Sequence, residues 1–290
     1  MALAIRNWGM ILLLFLFNLL FAGIAAVPMH GLLDKFIGHS LVSQQLTESF
    51  SLQFLFEFLH ENRAPLDWIL PMVIYLGLFY LLLNTLLLGG VIHVFRNADG
   101  RFTLEFFFHG CGKFFFRFLR LFLLSLPFFL LTGILWMILN SLLRRLGLAM
   151  HSEVVTFWLF WLRLLLLLVL LFFVNMIFDY AKIGTVVDDS KRMWKTARTC
   201  IKFVFRNLGR TLALYYLIAL LGLLFLAVYI LLSHAMTSSS GVLIVLLVVF
   251  QQVYMFLQVW FRLTLYSSQM ALFRALALPT VPGEILLAEE

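Results

Sequence analysis

Four polar side chains stand inside long apolar runs of this sequence, where they could bind one another or a ligand. If such a run crosses a membrane, a charge within it is costly and usually faces protein rather than lipid. One apolar run carries Arg163 near its middle, and another carries two glutamines at a similar depth. The predicted mid-membrane polar cluster consists of Arg163, Gln251, Gln252 and Asn18.

Arg163 has two other interpretations. Its side chain is long enough to snorkel outward toward Glu153, in which case no cluster forms. In the other interpretation the cluster holds a ligand inside the helix bundle. The sequence leaves these three hypotheses open.

A second chemical pattern is a series of cations at helical spacing between residues 186 and 208, opposite a face of apolar residues. A helix of this kind lies in the plane of a membrane and meets anionic headgroups, each cation contributing about 1 kcal/mol near the surface. The predicted anionic-lipid face consists of Lys191, Lys195, Arg198, Lys202 and Arg206. The alternative is that these cations only anchor the topology.

Signatures of catalysis and of cofactor binding are missing from the sequence. It contains no Walker A, HExxH or GxSxG motif. Glu57 and His60 have the spacing of a metal-binding pair on a helix, but one pair supplies too few ligands. Asp179 has no second carboxylate nearby in the sequence, so we expect it to pair with a cation of the following helix. We predict no catalytic residue, no cofactor and no metal site.

The elements that position these side chains are predicted to be spanning helices. Apolar residues make up 63% of the chain and charged residues 12%, against about a quarter in soluble proteins. The mean hydropathy is +1.04. A helix needs roughly 20 apolar residues to cross the hydrocarbon core. The predicted fold class is an all-α polytopic integral membrane protein, with spans at residues 8–27, 68–95, 114–140, 154–181, 208–232 and 242–265.

The remaining segments complete a single transmembrane domain over residues 1–276. We predict interfacial helices at 101–113 and 186–207, the first of which could instead be re-entrant. Residues 28–67 form the predicted extracytoplasmic segment, and residues 277–290 a flexible tail containing two prolines and three glutamates.

The distribution of positive charge predicts the orientation. Sixteen of the 21 lysines and arginines fall on the side that carries both termini. Because positively charged loops stay in the cytoplasm, we expect both termini inside. This bias also accounts for the pI near 9.6, so nucleic acid is not an expected partner. Cys111 and Cys200 both fall in cytoplasmic segments and should remain reduced.

An internal repeat supports tandem units. The nine residues Cys111–Leu119 align without gaps on Cys200–Leu208, with six identities, and the same offset pairs Asp99 with Asp188. A shorter version of the motif occurs at Ile5–Gly9, which resembles Phe205–Gly209. The simplest arrangement is three tandem helical hairpins, which makes the first apolar run a genuine helix. The alternative is a signal peptide cleaved near Ala26.

Residues 179–210, which combine Asp-Tyr-Ala-Lys-Ile-Gly with a basic helix and Phe-Arg-Asn-Leu-Gly-Arg, resemble a known group. This is a loose group of uncharacterised bacterial multi-pass proteins, similar to the membrane domain attached to some glycerophosphodiester phosphodiesterases. The soluble phosphodiesterase domain has no counterpart in this sequence. The resemblance implies a bacterial inner-membrane location and implies no activity.

Three classes of function follow. The leading hypothesis is a non-enzymatic membrane module that binds anionic lipid headgroups or other membrane proteins. The second is a transporter or permease component with a mid-membrane polar site, for which Pro127 marks the main candidate for a broken helix. The third is an intramembrane lipid-modifying enzyme, which would need acids or histidines converging at one depth.

Overall fold

A computed structural model of the chain describes residues 6–37, 63–97, 102–149, 152–235 and 241–277. These residues are almost entirely helical and include no strand. Their seven main helices are α1 (Trp8–Ile37), α2 (Arg63–Arg96), α3 (Leu104–Ala149), α4 (Glu153–Val187), α5 (Met193–Arg206), α6 (Leu208–Ala235) and α7 (Gly241–Ala277).

All of these helices except α5 are long and apolar enough to cross a membrane, which gives six candidate spans. A helix pairs its backbone polar groups internally, as a chain in hydrocarbon must. The protein is therefore an all-α polytopic membrane protein, and the fold class predicted from the apolar runs is confirmed.

The ends of the helices differ from the predicted ones. Residues 101–113 were expected to form a separate interfacial or re-entrant segment, but α3 is continuous from Leu104 to Ala149 and passes unbroken through Pro127. A helix of 46 residues is about 69 Å long, more than twice the roughly 30 Å of a hydrocarbon core. Part of α3 must therefore extend beyond the apolar layer.

The second predicted interfacial helix begins later than the expected residue 186. α4 continues to Val187 and α5 begins at Met193. Asp189 adopts the left-handed conformation between them, with φ of 46°. The Ser190 amide donates to the Thr185 carbonyl at 3.2 Å, which closes the end of α4. This left-handed residue breaks the helix that the periodicity had carried across the turn.

Several predicted features lie outside the described residues. Residues 38–62 of the predicted extracytoplasmic segment are among them, whereas its two ends belong to α1 and α2. Asp99 of the repeat and residues 278–290 of the predicted tail also lie outside.

The chain divides into two compact units. The first unit comprises Met1–Leu88, Arg101–Thr103 and Leu217–Leu265. Within it, the rings of Trp8 and Phe15 on α1 pack edge-on against Phe256 of α7. The second unit comprises Gly89–Gly100, Leu104–Tyr216 and Tyr266–Glu290, and it holds most of the candidate functional residues.

Small residues let the helices of the second unit approach closely. A Cβ atom added at Gly90 of α2 would lie 2.6 Å from the Cys111 sulfur of α3, and one added at Gly184 of α4 would lie 2.8 Å from the Cys200 sulfur of α5. Contacts as short as these need glycine, as is common where membrane helices pack. The backbones of α4 and α5 are thereby held against each other, which positions the exposed face of α5.

Candidate functional site

The helix α5 has two chemically different faces. Its buried face consists of Met193, Thr196, Ala197, Cys200 and Val204. The five cations of the predicted lipid face, Lys191, Lys195, Arg198, Lys202 and Arg206, are all exposed. Trp194 and Phe205 are also exposed, at 52% and 57%. An exposed surface that combines cations with large rings suits the boundary between headgroups and acyl chains.

Cys200 anchors the buried face of α5. Its thiol is 1% exposed and donates a hydrogen bond to the Tyr180 carbonyl of α4 at 3.4 Å. Burial, with a smaller contribution from Asp188, raises the pKa of Cys200 to about 12. The thiol therefore stays protonated at neutral pH and acts as a packing group rather than a nucleophile.

A carboxylate clamp fixes the turn that leads into α5. Lys113 Nζ lies 2.9 Å from one carboxylate oxygen of Asp189, and Arg117 Nη1 lies 2.5 Å from the other. The hydrogen bonds from Lys113 and Arg117 lower the pKa of Asp189 to about 2. The clamp, which was not predicted from the sequence, ties α3 to the turn between α4 and α5.

Asp179 belongs to a buried polar network within the second unit. Its carboxylate accepts hydrogen bonds from Lys182 at 2.9 Å and from Asn175 at 3.4 Å. Asn175 also donates to the Tyr215 hydroxyl of α6 at 2.9 Å. The expected pairing of Asp179 with a cation of the following helix is wrong, because Lys182, three residues on in α4 itself, is the partner.

Arg163 bonds to a neighbouring helix through a residue that the sequence analysis did not name. Its guanidinium donates to the Asn140 side chain of α3 at 3.1 Å, and its Nε to the Leu159 carbonyl at 3.1 Å. Both residues lie in the second unit. The side chain therefore has an interhelical polar partner, unlike a side chain that snorkels to water alone.

The other three members of the predicted cluster lie in the first unit. The Asn18 carbonyl oxygen accepts a hydrogen bond from the Tyr80 hydroxyl of α2 at 2.9 Å. Gln251 is exposed, whereas the buried carbonyl oxygen of Gln252 finds no hydrogen-bond partner among the described residues. The four-residue cluster itself stays a prediction.

A cavity of about 270 Å³ adjoins the bond between Arg163 and Asn140. Arg144 of α3 and Thr156 of α4 also line it. Two guanidinium groups beside an amide and a hydroxyl are suited to an oxyanion, because arginine presents several donors in one plane. One sequence signal could have located this pair: Asn140 precedes the α3–α4 turn by about as many residues as Arg163 follows it.

Two further polar side chains in the second unit were also missed. Gln269 is completely buried, and neither of its amide atoms has a hydrogen-bond partner within the described part of the chain. The buried hydroxyl of Tyr180 is in the same situation. Buried polar atoms normally find a partner, so these two side chains mark a place for water or a polar ligand.

No metal site is visible in the described parts of the chain. They contain no group of three or more histidine, cysteine, aspartate or glutamate side chains placed to hold an ion. Glu57 and His60, whose spacing is that of a metal-binding pair on a helix, lie outside the described residues.

No protein-family model, no curated protein and no solved structure matches the chain. The resemblance to the membrane domain of some glycerophosphodiester phosphodiesterases therefore stays a prediction.

Proposed function

We propose that the protein is a non-enzymatic membrane module that holds anionic lipid headgroups on the exposed face of α5. The observation that carries this proposal is the contrast between the two faces of α5. One face is packed into the second unit, and the other exposes Lys195, Arg198, Lys202 and Arg206 together with Trp194 and Phe205. A rigidly held cationic face costs little ordering entropy when it meets an anionic surface.

The proposed location is the cytoplasmic membrane of a bacterium, with both termini inside. The support is the concentration of lysine and arginine on one side of the predicted topology. The inner leaflet carries the anionic lipids that a cationic helix binds. The face of α5 and its lipid would then be on the same side of the membrane.

Titration of the full-length protein with phosphatidylglycerol, read by native mass spectrometry, tests the proposal. The test variant is Lys195→Gln/Arg198→Gln. At about 1 kcal/mol for each cation, losing two should weaken phosphatidylglycerol binding roughly 30-fold at low salt. Phosphatidylcholine binding should not change, because the lost interaction is electrostatic.

The matched control is Arg120→Gln/Arg145→Gln, which removes two exposed cations of α3 that have no ion-pair partner among the described residues. It should bind phosphatidylglycerol as the natural protein does. If both double variants lost the same amount of phosphatidylglycerol affinity, only the net charge of the protein would matter. If the α5 variant kept its affinity, the cations of α5 would serve only to anchor the topology.

A transporter component is the second candidate, favoured by the polar interior of the second unit. The buried Asp179 network, together with Gln269 and Tyr180, places polar atoms where an apolar chain would otherwise bury hydrocarbon. If this network carries protons, proteoliposomes should show a pH-gradient leak that Asp179→Asn abolishes. If the pH gradient decays at the same rate in vesicles with and without the protein, this candidate is ruled out.

A further inference from the structure

The two copies of the nine-residue repeat place their cysteines in the same way. Cys111 and Cys200 are both buried, and each lies against a glycine of the preceding spanning helix. The lysine and arginine of each copy follow that cysteine at the same spacing. The copies thus share a packing arrangement as well as residue types.

In the first copy, the two cations hold a carboxylate. Lys113 and Arg117, four residues apart on α3, each take one oxygen of Asp189. Asp189 comes two residues after the end of α4, the spanning helix that follows α3. The cations of this copy are therefore neutralised by an acid located just beyond the next helix.

In the second copy, the equivalent cations have no acid as partner among the described residues. Lys202 and Arg206 have the same spacing on α5 and are exposed. Neither forms an ion pair in the described part of the chain. Like charges at this spacing on a helix repel each other, so a carboxylate between them would relieve the repulsion as well as bind.

We propose that Lys202 and Arg206 form a second carboxylate clamp, filled by a glutamate of residues 278–290. This segment follows α7 as Asp189 follows α4. It carries Glu284, Glu289 and Glu290 and contains no lysine or arginine. Its charge is thus complementary to the clamp.

The segment starts close enough to reach the clamp. The ring of Phe273, near the end of α7, lies 4.9 Å from the ring of Phe203, the residue next to Lys202. α7 ends at Ala277. The seven residues from there to Glu284 can extend about 23–25 Å.

This clamp changes which cations remain for lipid. With Lys202 and Arg206 occupied, Lys195 and Arg198 of α5 and Lys191 of the preceding turn stay available to headgroups. The clamp does not depend on lipid binding, because its partner belongs to the chain itself.

Carbodiimide cross-linking of the full-length protein tests the clamp, since this reagent joins a carboxylate to an amine only when they touch. Peptide mass spectrometry should find Lys202 joined to Glu284, Glu289 or Glu290. The amide between Lys113 and Asp189 is the internal positive control, because those groups lie 2.9 Å apart. A mixture of isotopically labelled and unlabelled protein identifies links within one copy.

The variant Glu284→Gln/Glu289→Gln/Glu290→Gln should lose the Lys202 link and keep the link from Lys113 to Asp189. The proposal is overturned if the control link forms in the natural protein and Lys202 is joined to none of the three glutamates. It is also overturned if the links join different copies. A Lys202 link that is lost in nanodiscs containing anionic lipid would also overturn the proposal, because lipid phosphate would then hold these cations in place of a glutamate.

Discussion

At the scale of single residues, Asp189 satisfies two requirements at once. It adopts a left-handed conformation that few side chains accept, and its carboxylate binds both Lys113 and Arg117. Asparagine tolerates the same backbone conformation but carries no charge. Asp189→Asn therefore separates the electrostatic role from the backbone role.

We expect Asp189→Asn to lower the free energy of unfolding by about 1 kcal/mol, because its two ion pairs are partly exposed. Denaturant unfolding in detergent measures this. The pKa of Asp189 is lowered from 3.8 to about 2, so the clamp stabilises the protein at neutral pH. The difference between natural protein and variant should shrink only as the pH falls from 3.8 toward 2. A difference that persists at pH 2 would contradict the electrostatic explanation.

The hydrogen bond between Arg163 and Asn140 makes a second prediction. In a double-mutant cycle of Arg163→Leu and Asn140→Leu, we expect a coupling free energy of about 1 kcal/mol, because each single change leaves the other polar group without its partner. Arg145→Leu combined with Asn140→Leu is the control and should show no coupling. Additive effects of Arg163 and Asn140 would mean that Arg163 gains nothing from this neighbour.

These polar contacts were only partly accessible from the sequence. Asp179 was expected to pair with a cation of the following helix, although its spacing to Lys182 also allows the pair that forms within α4. The position of Arg163 within its apolar run identified it as a costly charge. Gln251 and Gln252 of α7 were expected to be partners of Arg163 only because they lie at a similar depth along their apolar run. The partner it has is Asn140. The sequence indicates this pairing only if Asn140 and Arg163 are counted outward from the turn between α3 and α4.

At the scale of elements, the position of α5 depends on the absence of a side chain at Gly184. A Cβ atom there would lie 2.8 Å from the Cys200 sulfur and 3.5 Å from the Phe273 ring. We expect Gly184→Ala to destabilise the protein by about 1–3 kcal/mol through overpacking. Adding Cys200→Ala should recover part of this loss, since it removes the sulfur.

The control for this substitution is Gly209→Ala on α6, where an added Cβ atom meets nothing within 4 Å. It should be neutral or stabilising, because alanine favours a helix by up to about 1 kcal/mol over glycine. Thermal unfolding measures the stability of Gly184→Ala, Gly184→Ala/Cys200→Ala and Gly209→Ala. If Gly184→Ala were as stable as Gly209→Ala, the close contact between α4 and α5 would not be required.

The existence of the helices was predictable, but some of their ends were not. Apolar runs must become helices in lipid, which identifies each span. The start of α5 depends on the left-handed Asp189, and any of several polar residues nearby could have taken that conformation. The first turns of α3 carry charges that resemble a surface segment, yet Phe107 and Phe114 are fully buried there. These early turns of α3 pack closely against Gly89 and Gly90 of α2, a contact that the sequence pattern did not indicate.

At the scale of the whole molecule, the distribution of cations predicts the topology. Reporter fusions after residues 30, 98, 146, 184 and 237 should read outside, inside, outside, inside and outside, because lysine and arginine resist translocation. Residue 290 should read inside. A fusion at 237 that reads inside, or an N-terminus processed near Ala26, would contradict six spans with both termini in the cytoplasm.

The number of spans follows from composition, whereas the division into two units does not. Six apolar runs give six candidate spans because each run reaches the roughly 20 residues that a helix needs to cross the hydrocarbon core. The two units divide α2, α6 and α7 along their lengths. Those boundaries fall within apolar runs, so the hydropathy of a run does not indicate them.

The position of α5 relative to the bilayer tests the central claim most directly. A nitroxide attached at Thr199→Cys would report it, since Thr199 is exposed and the natural cysteines are buried. In nanodiscs rich in phosphatidylglycerol, we expect the label to collide with both oxygen dissolved in lipid and a nickel chelate dissolved in water, as at headgroup depth. Lys195→Gln/Arg198→Gln should shift the balance toward the chelate. A label that meets only the aqueous chelate, with or without these cations, would show that α5 does not rest on the membrane and would contradict the account.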